Sequence, residues 1–190
     1  METLLSICVG IGLAAACGFR VFVPLLVTSI AALAGHVALA THFQWIGTYP
    51  ALIAFSAATL LEIAGYYIPW FDHLLDTVAT PAAIVAGTVL TASMLTDVSP
   101  LLRWSLAVIA GGGIAGVVQS GTILTRAVST TSSGGLANPV VSTAELGLSL
   151  LVSFLAIFLP LVGVLAVTVL LVFLCKRTWK QFKPVRSLNP

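Results

Sequence analysis

Charged side chains are scarce in this 190-residue chain, with only eight between Thr3 and Cys175. The composition is 59% hydrophobic and 7% charged, whereas soluble domains have roughly 45–50% apolar and about 25% charged residues. The mean hydropathy is +1.13. The scarcity of charge therefore excludes an ordinary soluble domain and predicts a protein that lies in a lipid bilayer.

The few cations outside the apolar runs gather at the chain's end. They are Lys176, Arg177, Lys180, Lys183 and Arg186. Cations that flank a membrane segment mark its cytoplasmic side. We therefore expect residues 176–190 to form a basic cytoplasmic tail, and we expect no nucleic-acid partner.

Disulfide, metal and catalytic signatures are also missing. Cys8, Cys17 and Cys175 lie in or beside apolar runs without metal-ligand spacing, which is typical of free, buried cysteines. The chain has no His-Glu-x-x-His of a zinc protease, no Gly-x-Gly-Asp of an aspartyl membrane protease and no phosphate-binding glycine loop. We expect no enzymatic activity and no cofactor.

Clusters of turn-forming residues divide the chain into apolar runs. These are about Leu4–Leu39, Ala51–Ile68, Ala82–Leu95, Leu101–Val128 and Val140–Cys175. The first run would reach about 54 Å as one helix, more than a membrane span needs, so it must be broken or tilted. Pro160 is expected to divide the last run. The sequence predicts an all-α integral membrane protein, with a polytopic bundle of five to seven segments over residues 1–175.

Six segments are compatible with two inverted three-helix repeats, an arrangement common in transporters. Tyr49-Pro50 and Asn138-Pro139 are each expected to start a helix, and a second proline follows about 20 residues later, at Pro69 and Pro160. Small residues and prolines are also common in membrane helices without any repeat. Six crossings would place both termini in the cytoplasm.

Arg20 is the most unusual residue of the first run. An arginine at the centre of a bilayer costs about 2.5–3.5 kcal/mol on insertion scales, so it should face a partner or a polar cavity. Gly18 and Pro24 favour a break in the helix beside it. The alternative is that Arg20 lies close enough to the membrane boundary for its side chain to extend into water.

Glu62 lies in the second apolar run without a neutralising neighbour, so it must be protonated or paired across the bundle, with Arg20 as the expected partner. Asp72, His73 and Asp76 follow in a segment rich in aromatics. They form weak candidates for a metal or proton site, and a helix-capped loop at the membrane boundary is the alternative.

A polar stretch from Thr130 to Glu145 separates two later runs and contains Asn138. It is interpreted either as an exposed linker or as a buried re-entrant loop that lines a solute path. Glu145 follows about one and a half turns into the next helix, which favours the buried loop. Arg126, just before the stretch, is a further candidate for the same polar site.

Three patches together resemble a known family. They are Gly18-Phe19-Arg20 with Pro24, then Glu62 with Pro69, Asp72-His73 and Asp76, and then Gly134-Gly135-Leu136-Ala137-Asn138-Pro139 with Ser142 and Glu145. In order and separation they resemble the uncharacterised bacterial membrane-protein family catalogued as domain of unknown function 4126. The resemblance covers about residues 5 to 175. It implies a small multi-pass inner-membrane protein and supplies no substrate or mechanism.

The sequence therefore favours a transporter or channel for a small solute or ion, working as a homo-oligomer. Its expected binding residues are Arg20, Glu62, Arg126, Asn138 and Glu145. The alternative is a structural or assembly protein whose buried charges pair only to hold the bundle together. A water-accessible cavity that reaches the charges would favour transport, and a dry, fully paired cluster would favour the structural role.

Overall fold

The computed structural model describes residues 2–181, apart from the side chains of residues 2, 69–74, 173–175 and 177–181. Within this range the chain is helical and contains no strand. The elements are α1 (Glu2–Cys17), α2 (Phe22–Leu33), a 3₁₀ segment (Thr41–Gly47), α3 (Tyr49–Tyr66), α4 (Pro69–Met94), α5 (Pro100–Leu106), a π-helical segment (Ala107–Gly112), α6 (Gly113–Ser133), α7 (Asn138–Phe158) and α8 (Pro160–Gln181). The predicted all-α bundle is confirmed.

Four stretches are long and apolar enough to cross a membrane. They are Tyr49–Tyr66, Leu75–Met94, Pro100–Ser133 and Asn138–Phe158. The third stretch joins α5, the π-helical segment and α6 into one continuous rod. Its π-helical turn is buried against α4 through Ala107, Gly111 and Gly112. These spans identify the chain as a polytopic membrane protein.

Helix α1 runs antiparallel to α7. Ser149 Oγ donates a hydrogen bond to the carbonyl of Ala16 at 3.1 Å. Four residues further along the chain, just after the end of α1, Arg20 Nη2 donates to the carbonyl of Ser142 at 2.9 Å. Because a step forward along α1 is a step backward along α7, the end of α1 lies beside the start of α7.

Helix α2 returns in the direction from which α1 came. His36, which follows α2, places its ring 5.6 Å from the ring of Phe158 at the end of α7. Helices α1 and α2 have only 16 and 12 residues, and a crossing needs about 20. The two helices therefore form a re-entrant hairpin that enters and leaves at the same end of the bundle.

The tip of this hairpin, residues 17–21, is buried inside the bundle. Gly18 allows the tip to approach α6 closely, since a Cβ there would lie 2.5 Å from Val118 Cβ and 2.7 Å from the carbonyl oxygen of Ala115. Non-helical backbone at membrane depth is tolerated where protein surrounds it. The predicted break beside Arg20 is confirmed by this tip.

The remaining helices alternate in direction. Helix α3 begins near the end of α2, where a Cβ at Gly47 would contact Ala32, and it ends beside the start of α2, where Glu62 accepts from the Val21 amide. Helix α4 runs back, so that Thr91 Oγ1 reaches the carbonyl of Gly10. The α5–α6 rod, α7 and α8 continue the alternation. We define the turn end of the bundle as the end that holds the α6–α7 turn, residues 134–137.

The expected helix starts at Tyr49, Asn138 and Pro160 are confirmed, and the expected start of a segment at Ala82 is wrong. Helix α7 ends at Phe158 and α8 begins at Pro160, as expected for a proline divider. By contrast, α4 passes through Pro81 without a break. The loss of one backbone hydrogen bond there is offset by packing, because Ala83, Ala86 and Leu90 of the same helix are buried in the main apolar cluster.

The expected buried loop from Thr130 to Glu145 is also wrong. Helix α6 continues to Ser133, and the turn that follows is a tight connection whose Leu136 is 88% exposed. The hydroxyls of Ser132 and Ser133 donate hydrogen bonds to the carbonyls four residues earlier, so both serines fit within the helix. Gly134 then ends the helix in the left-handed region, with a φ of 63°. The re-entrant element of this fold is the α1–α2 hairpin.

The first prediction concerns topology. We expect five crossings, by the four long apolar stretches and by α8, because the hairpin enters and leaves at one end of the bundle. Reporter fusions placed before Met1 and after Pro190 should therefore report opposite sides of the membrane. Two fusions on the same side would contradict this arrangement.

The second prediction concerns the hairpin tip. Gly18→Ala should destabilise the protein by about 1–3 kcal/mol, because the added methyl group overpacks the contact with α6. Gly113→Ala is the matched control, since a Cβ at Gly113 meets nothing within 4 Å. Unfolding in mixed detergent micelles measures both. Equal stability of the two variants would show that the tip does not pack as described.

Candidate functional site: a buried charged cluster

Five ionisable side chains from five parts of the chain meet near the hairpin tip. We call Arg20, Glu62, Asp76, Arg126 and Glu145 the charged cluster. Four of them are buried, and the Asp76 side chain is 20% exposed. With every group ionised, the cluster carries two positive and three negative charges.

Helical periodicity brings the polar groups of α6 and α7 to this place. Buried polar residues recur at helical spacing on both helices, so each presents one polar stripe inside an otherwise apolar rod. The stripe on α6 is Gln119, Thr122, Arg126 and Ser129, and that on α7 is Ser142, Glu145, Ser149 and Ser153. The two charged members lie about two turns from the α6–α7 turn, which places them at the same level.

Arg126 and Glu145 form the closest pair of the cluster. Arg126 Nε donates to Glu145 Oε1 at 3.1 Å, and Arg126 Nη2 donates to Oε2, so the guanidinium binds the carboxylate in a bidentate manner. Arg126 Nη1 also lies 3.4 Å from Asp76 Oδ1. This geometry is the one in which a guanidinium binds a carboxylate most strongly. It joins α4, α6 and α7.

Tyr66 forms the aromatic wall of the cluster. The guanidinium carbons of Arg20 and Arg126 lie 4.0 and 3.9 Å from the centre of its ring. The Tyr66 hydroxyl donates to Asp76 Oδ1 at 3.3 Å. Cation–π contacts of this kind are strongest when desolvated, and here they hold both arginines at the end of α3.

Glu62 binds the start of α2 through the backbone. Its Oε1 accepts from the Val21 amide at 2.8 Å and its Oε2 from the Phe22 amide at 3.1 Å. The first amides of a helix have no partner within the helix and carry a partial positive charge. The Glu62 carboxylate therefore caps α2 from a neighbouring helix.

Arg20 is only partly satisfied. It is 2% exposed, and its Nη2 donates to the carbonyl and hydroxyl of Ser142 and lies 3.9 Å from Glu145. Its Nε and Nη1 find no acceptor among the residues whose side chains are described. The expected ion pair with Glu62 is thus replaced by contacts with α7, because Glu62 is taken by the α2 amides.

The other expected site residues lie elsewhere or outside the described part. Asn138 is the first residue of α7, seven residues before Glu145. Its Nδ2 donates a hydrogen bond to Thr130 Oγ1 across the turn, at 3.2 Å. The side chains of Asp72 and His73 lie outside the described residues. The described residues hold no group of three or more His, Cys, Asp or Glu that could bind a metal.

Two contributors were not assigned to the site from the sequence. Tyr66 follows Glu62 by four residues and so lies on the same face of α3. Ser142 precedes Glu145 by three residues on the buried face of α7. Helical spacing from a charged residue is the signal that could have found both.

An apolar groove of about 470 Å³ lies beside the cluster, between α2, α3 and α4. Its lining comprises Val21, Phe22, Leu25, Trp45, Phe55, Val78, Pro81, Ala82, Val85, Ala86 and Val89. Val78 and Val85 are more than half exposed on the apolar surface of the bundle. The groove is therefore open to hydrocarbon and has no polar lining, although two of its residues carry the amides that bind Glu62.

The sequence model of one protein family, the domain of unknown function DUF4126, matches residues 7–180 of the chain. Because the match covers nearly the whole chain, the protein belongs to this family, as its three polar patches indicated. No curated protein matches the chain. No solved structure matches it either.

The third prediction concerns the Arg126–Glu145 pair. Arg126→Met or Glu145→Leu alone should cost about 3–5 kcal/mol of unfolding free energy, because each leaves an uncompensated charge in the interior. The double change should cost less than the sum of the two single changes. Unfolding in mixed micelles gives all three values.

Arg103→Met is the control for this cycle. Arg103 donates to the carbonyls of Leu95 and Thr96 at the end of α4, away from the cluster. Its loss should cost about 1–2 kcal/mol and should add to that of Arg126→Met without coupling. Additive losses in the Arg126–Glu145 cycle itself would show that the two side chains do not pair.

Proposed function

We propose that this DUF4126 protein moves a small solute or ion across its membrane and that the charged cluster is its binding site. The observation that supports this most directly is the re-entrant hairpin, whose two short helices end inside the bundle beside the cluster. Helices that stop at membrane depth place backbone dipoles next to a solute, and transporters use this arrangement for that purpose.

The polar groups near the hairpin tip also support a binding role. Besides two nitrogens of Arg20, the hydroxyls of Thr59 and Ser129 are buried without a hydrogen-bond partner among the described residues. Thr59 precedes Glu62 by one turn of α3, and Ser129 follows Arg126 by one turn of α6. Buried polar groups are normally satisfied, so several unsatisfied ones around one site favour the binding of water or a ligand there. Thr28, Ser29 and Ser153 also have buried hydroxyls without a partner in the described part of the chain, but they lie about two turns or more along their helices from the cluster.

A structural role is the rival proposal, and the Arg126–Glu145 pair favours it. That pair is bidentate, buried and shared with Asp76, as expected of charges that hold helices together. Arg20 and Glu62 fit such a role less well, because Arg20 keeps unused donors. The two roles differ in whether water reaches the cluster in the membrane.

The direction of α8 bears on which end of the bundle is cytoplasmic. Helix α8 runs towards the turn end, where Lys176 is exposed and further cations follow in sequence. The positive-inside rule favours a cytoplasmic turn end. We further propose that the membrane is the plasma membrane and that the protein acts as a homo-oligomer without enzymatic activity. Asp76, the most exposed member of the cluster, would face a cytoplasmic approach.

The fourth prediction tests whether the site is reached by water. In a background without Cys8, Cys17 and Cys175, Ser142→Cys should react with a small, charged thiol reagent added to intact proteoliposomes. Ser142 is 1% exposed in the structure, so labelling requires a path that opens within the membrane-embedded protein.

Ser153→Cys is the matched control. Ser153 lies on the same face of α7, is fully buried and differs from Ser142 in lying three turns away from the hairpin tip. It should stay unreactive until the protein is unfolded. Lack of reaction at both positions would favour the structural role and would remove the support for transport.

A further inference from the structure

We propose that the start of α2, together with Arg20, binds a carboxylate solute, and that Glu62 occupies this place in the present structure. The inference rests on the proposed function, because it names the class of solute that the site would take. Three observations support it: the Glu62 carboxylate binds the α2 amides, Arg20 and Thr59 keep unsatisfied groups, and the cluster has a fixed balance of charges.

The α2 amides are arranged for a carboxylate. Two successive N–H groups, of Val21 and Phe22, each bind a different oxygen of the Glu62 carboxylate, at 2.8 and 3.1 Å. A flat group with two equivalent oxygens matches this pair of donors, and the helix start favours a negative charge. A free carboxylate can make the same two bonds once Glu62 leaves.

The unsatisfied groups around this place are all donors or hydroxyls. Arg20 directly precedes Val21 and has two nitrogens without an acceptor among the described residues. Glu62 makes no ion pair with these nitrogens, so a solute carboxylate that binds both the amides and Arg20 must lie closer to Arg20 than the Glu62 carboxylate does. Thr59, one turn before Glu62, has an unpaired hydroxyl. The site therefore needs a ligand that accepts hydrogen bonds. A cation would need oxygens instead, and the carboxylates of the cluster are already engaged by donors.

Charge balance requires that Glu62 takes up a proton when a solute carboxylate replaces it. Four groups interact electrostatically with Glu62: Arg20 at the hairpin tip, Cys17 of α1, Tyr66 of α3 and Arg126 of α6. Glu145 of α7 and Asp76 of α4 pair with the two arginines. If a solute carboxylate takes the place of the Glu62 carboxylate, the charge of the cluster is kept only when Glu62 takes up a proton from solvent. The solute and one proton would therefore bind together.

Sodium acetate is the probe. Thermal unfolding of the full chain in detergent should shift to a higher midpoint with acetate, and neither sodium chloride at equal ionic strength nor acetamide, the neutral isostere, should do so. The half-saturating acetate concentration of the wild type should rise about tenfold per pH unit while Glu62 is ionised, as expected for one coupled proton.

Three variants define the site. Glu62→Gln removes the competing charge, so it should bind acetate at least about tenfold more tightly and lose the pH dependence. Arg20→Lys removes the unsatisfied guanidinium donors and should abolish the shift. If Arg20→Lys does not fold, Thr59→Val, which is nearly isosteric, should weaken acetate binding about threefold to tenfold and leave the unliganded midpoint in place.

Sodium octanoate, with n-octanol as the control for micelle effects, distinguishes the source of the carboxylate. A shift with octanoate alone would indicate a lipid-phase carboxylate that enters through the apolar groove, and a shift with acetate would indicate a water-soluble one. The inference is overturned if neither carboxylate differs from its control in the wild type and in Glu62→Gln. That result differs from failure of the transport proposal, which is seen as an unreactive Ser142→Cys.

Discussion

The constraint on which this fold depends is that an ionised side chain is costly in hydrocarbon unless a partner meets it. Five such side chains lie on five parts of one chain, so the charged cluster fixes the relative positions of α3, α4, α6, α7 and the hairpin tip. The hairpin stops inside the bundle because Arg20 must reach Ser142 and Tyr66 there. The start of α2 then needs an acceptor, which Glu62 supplies.

The cluster has two parts that differ in how completely they are paired. Arg126, Glu145 and Asp76 form a tight group that resembles the buried ion pairs that hold helices in place. Arg20 has unused donors, and Glu62 is bound by two backbone amides instead of a charged side chain. A site that binds and releases a solute needs groups that can change partners, and these two are in that position. The first part would then serve as a fixed support for the second.

Much of the architecture could be predicted from the sequence. Pro160 and Asn138-Pro139 marked helix boundaries correctly because proline acts through local backbone geometry. The predictions at Pro81 and after Thr130 were wrong because non-local or side-chain interactions stabilise these segments. Packing of the rest of α4 stabilises the helix around Pro81, and side-chain hydrogen bonds to the backbone stabilise the end of α6. The inverted repeat and the homo-oligomer stay predictions.

For the candidate site, the scarcity of charge identified Arg20, Glu62, Arg126 and Glu145 in advance, because each is expensive in a membrane. The pairing could not be predicted, since it depends on the register between helices far apart in sequence. Glu62 was expected to meet Arg20 and instead binds two backbone amides, a type of partner that leaves no trace in side-chain composition. Asn138 was expected at the site because its residue type is polar, but it bonds across a turn.

The most direct test of the central claim is a distance measurement by solid-state NMR in lipid, between the guanidinium nitrogens of Arg20 and the carbonyl carbon of Ser142. The structure predicts a separation of about 4 Å, from an N···O distance of 2.9 Å and a C=O bond of about 1.23 Å. Arg126 and the Glu145 carboxylate supply an internal reference for a close pair. A clear Arg126–Glu145 contact without any Arg20–Ser142 contact would show that the hairpin tip does not reach the cluster.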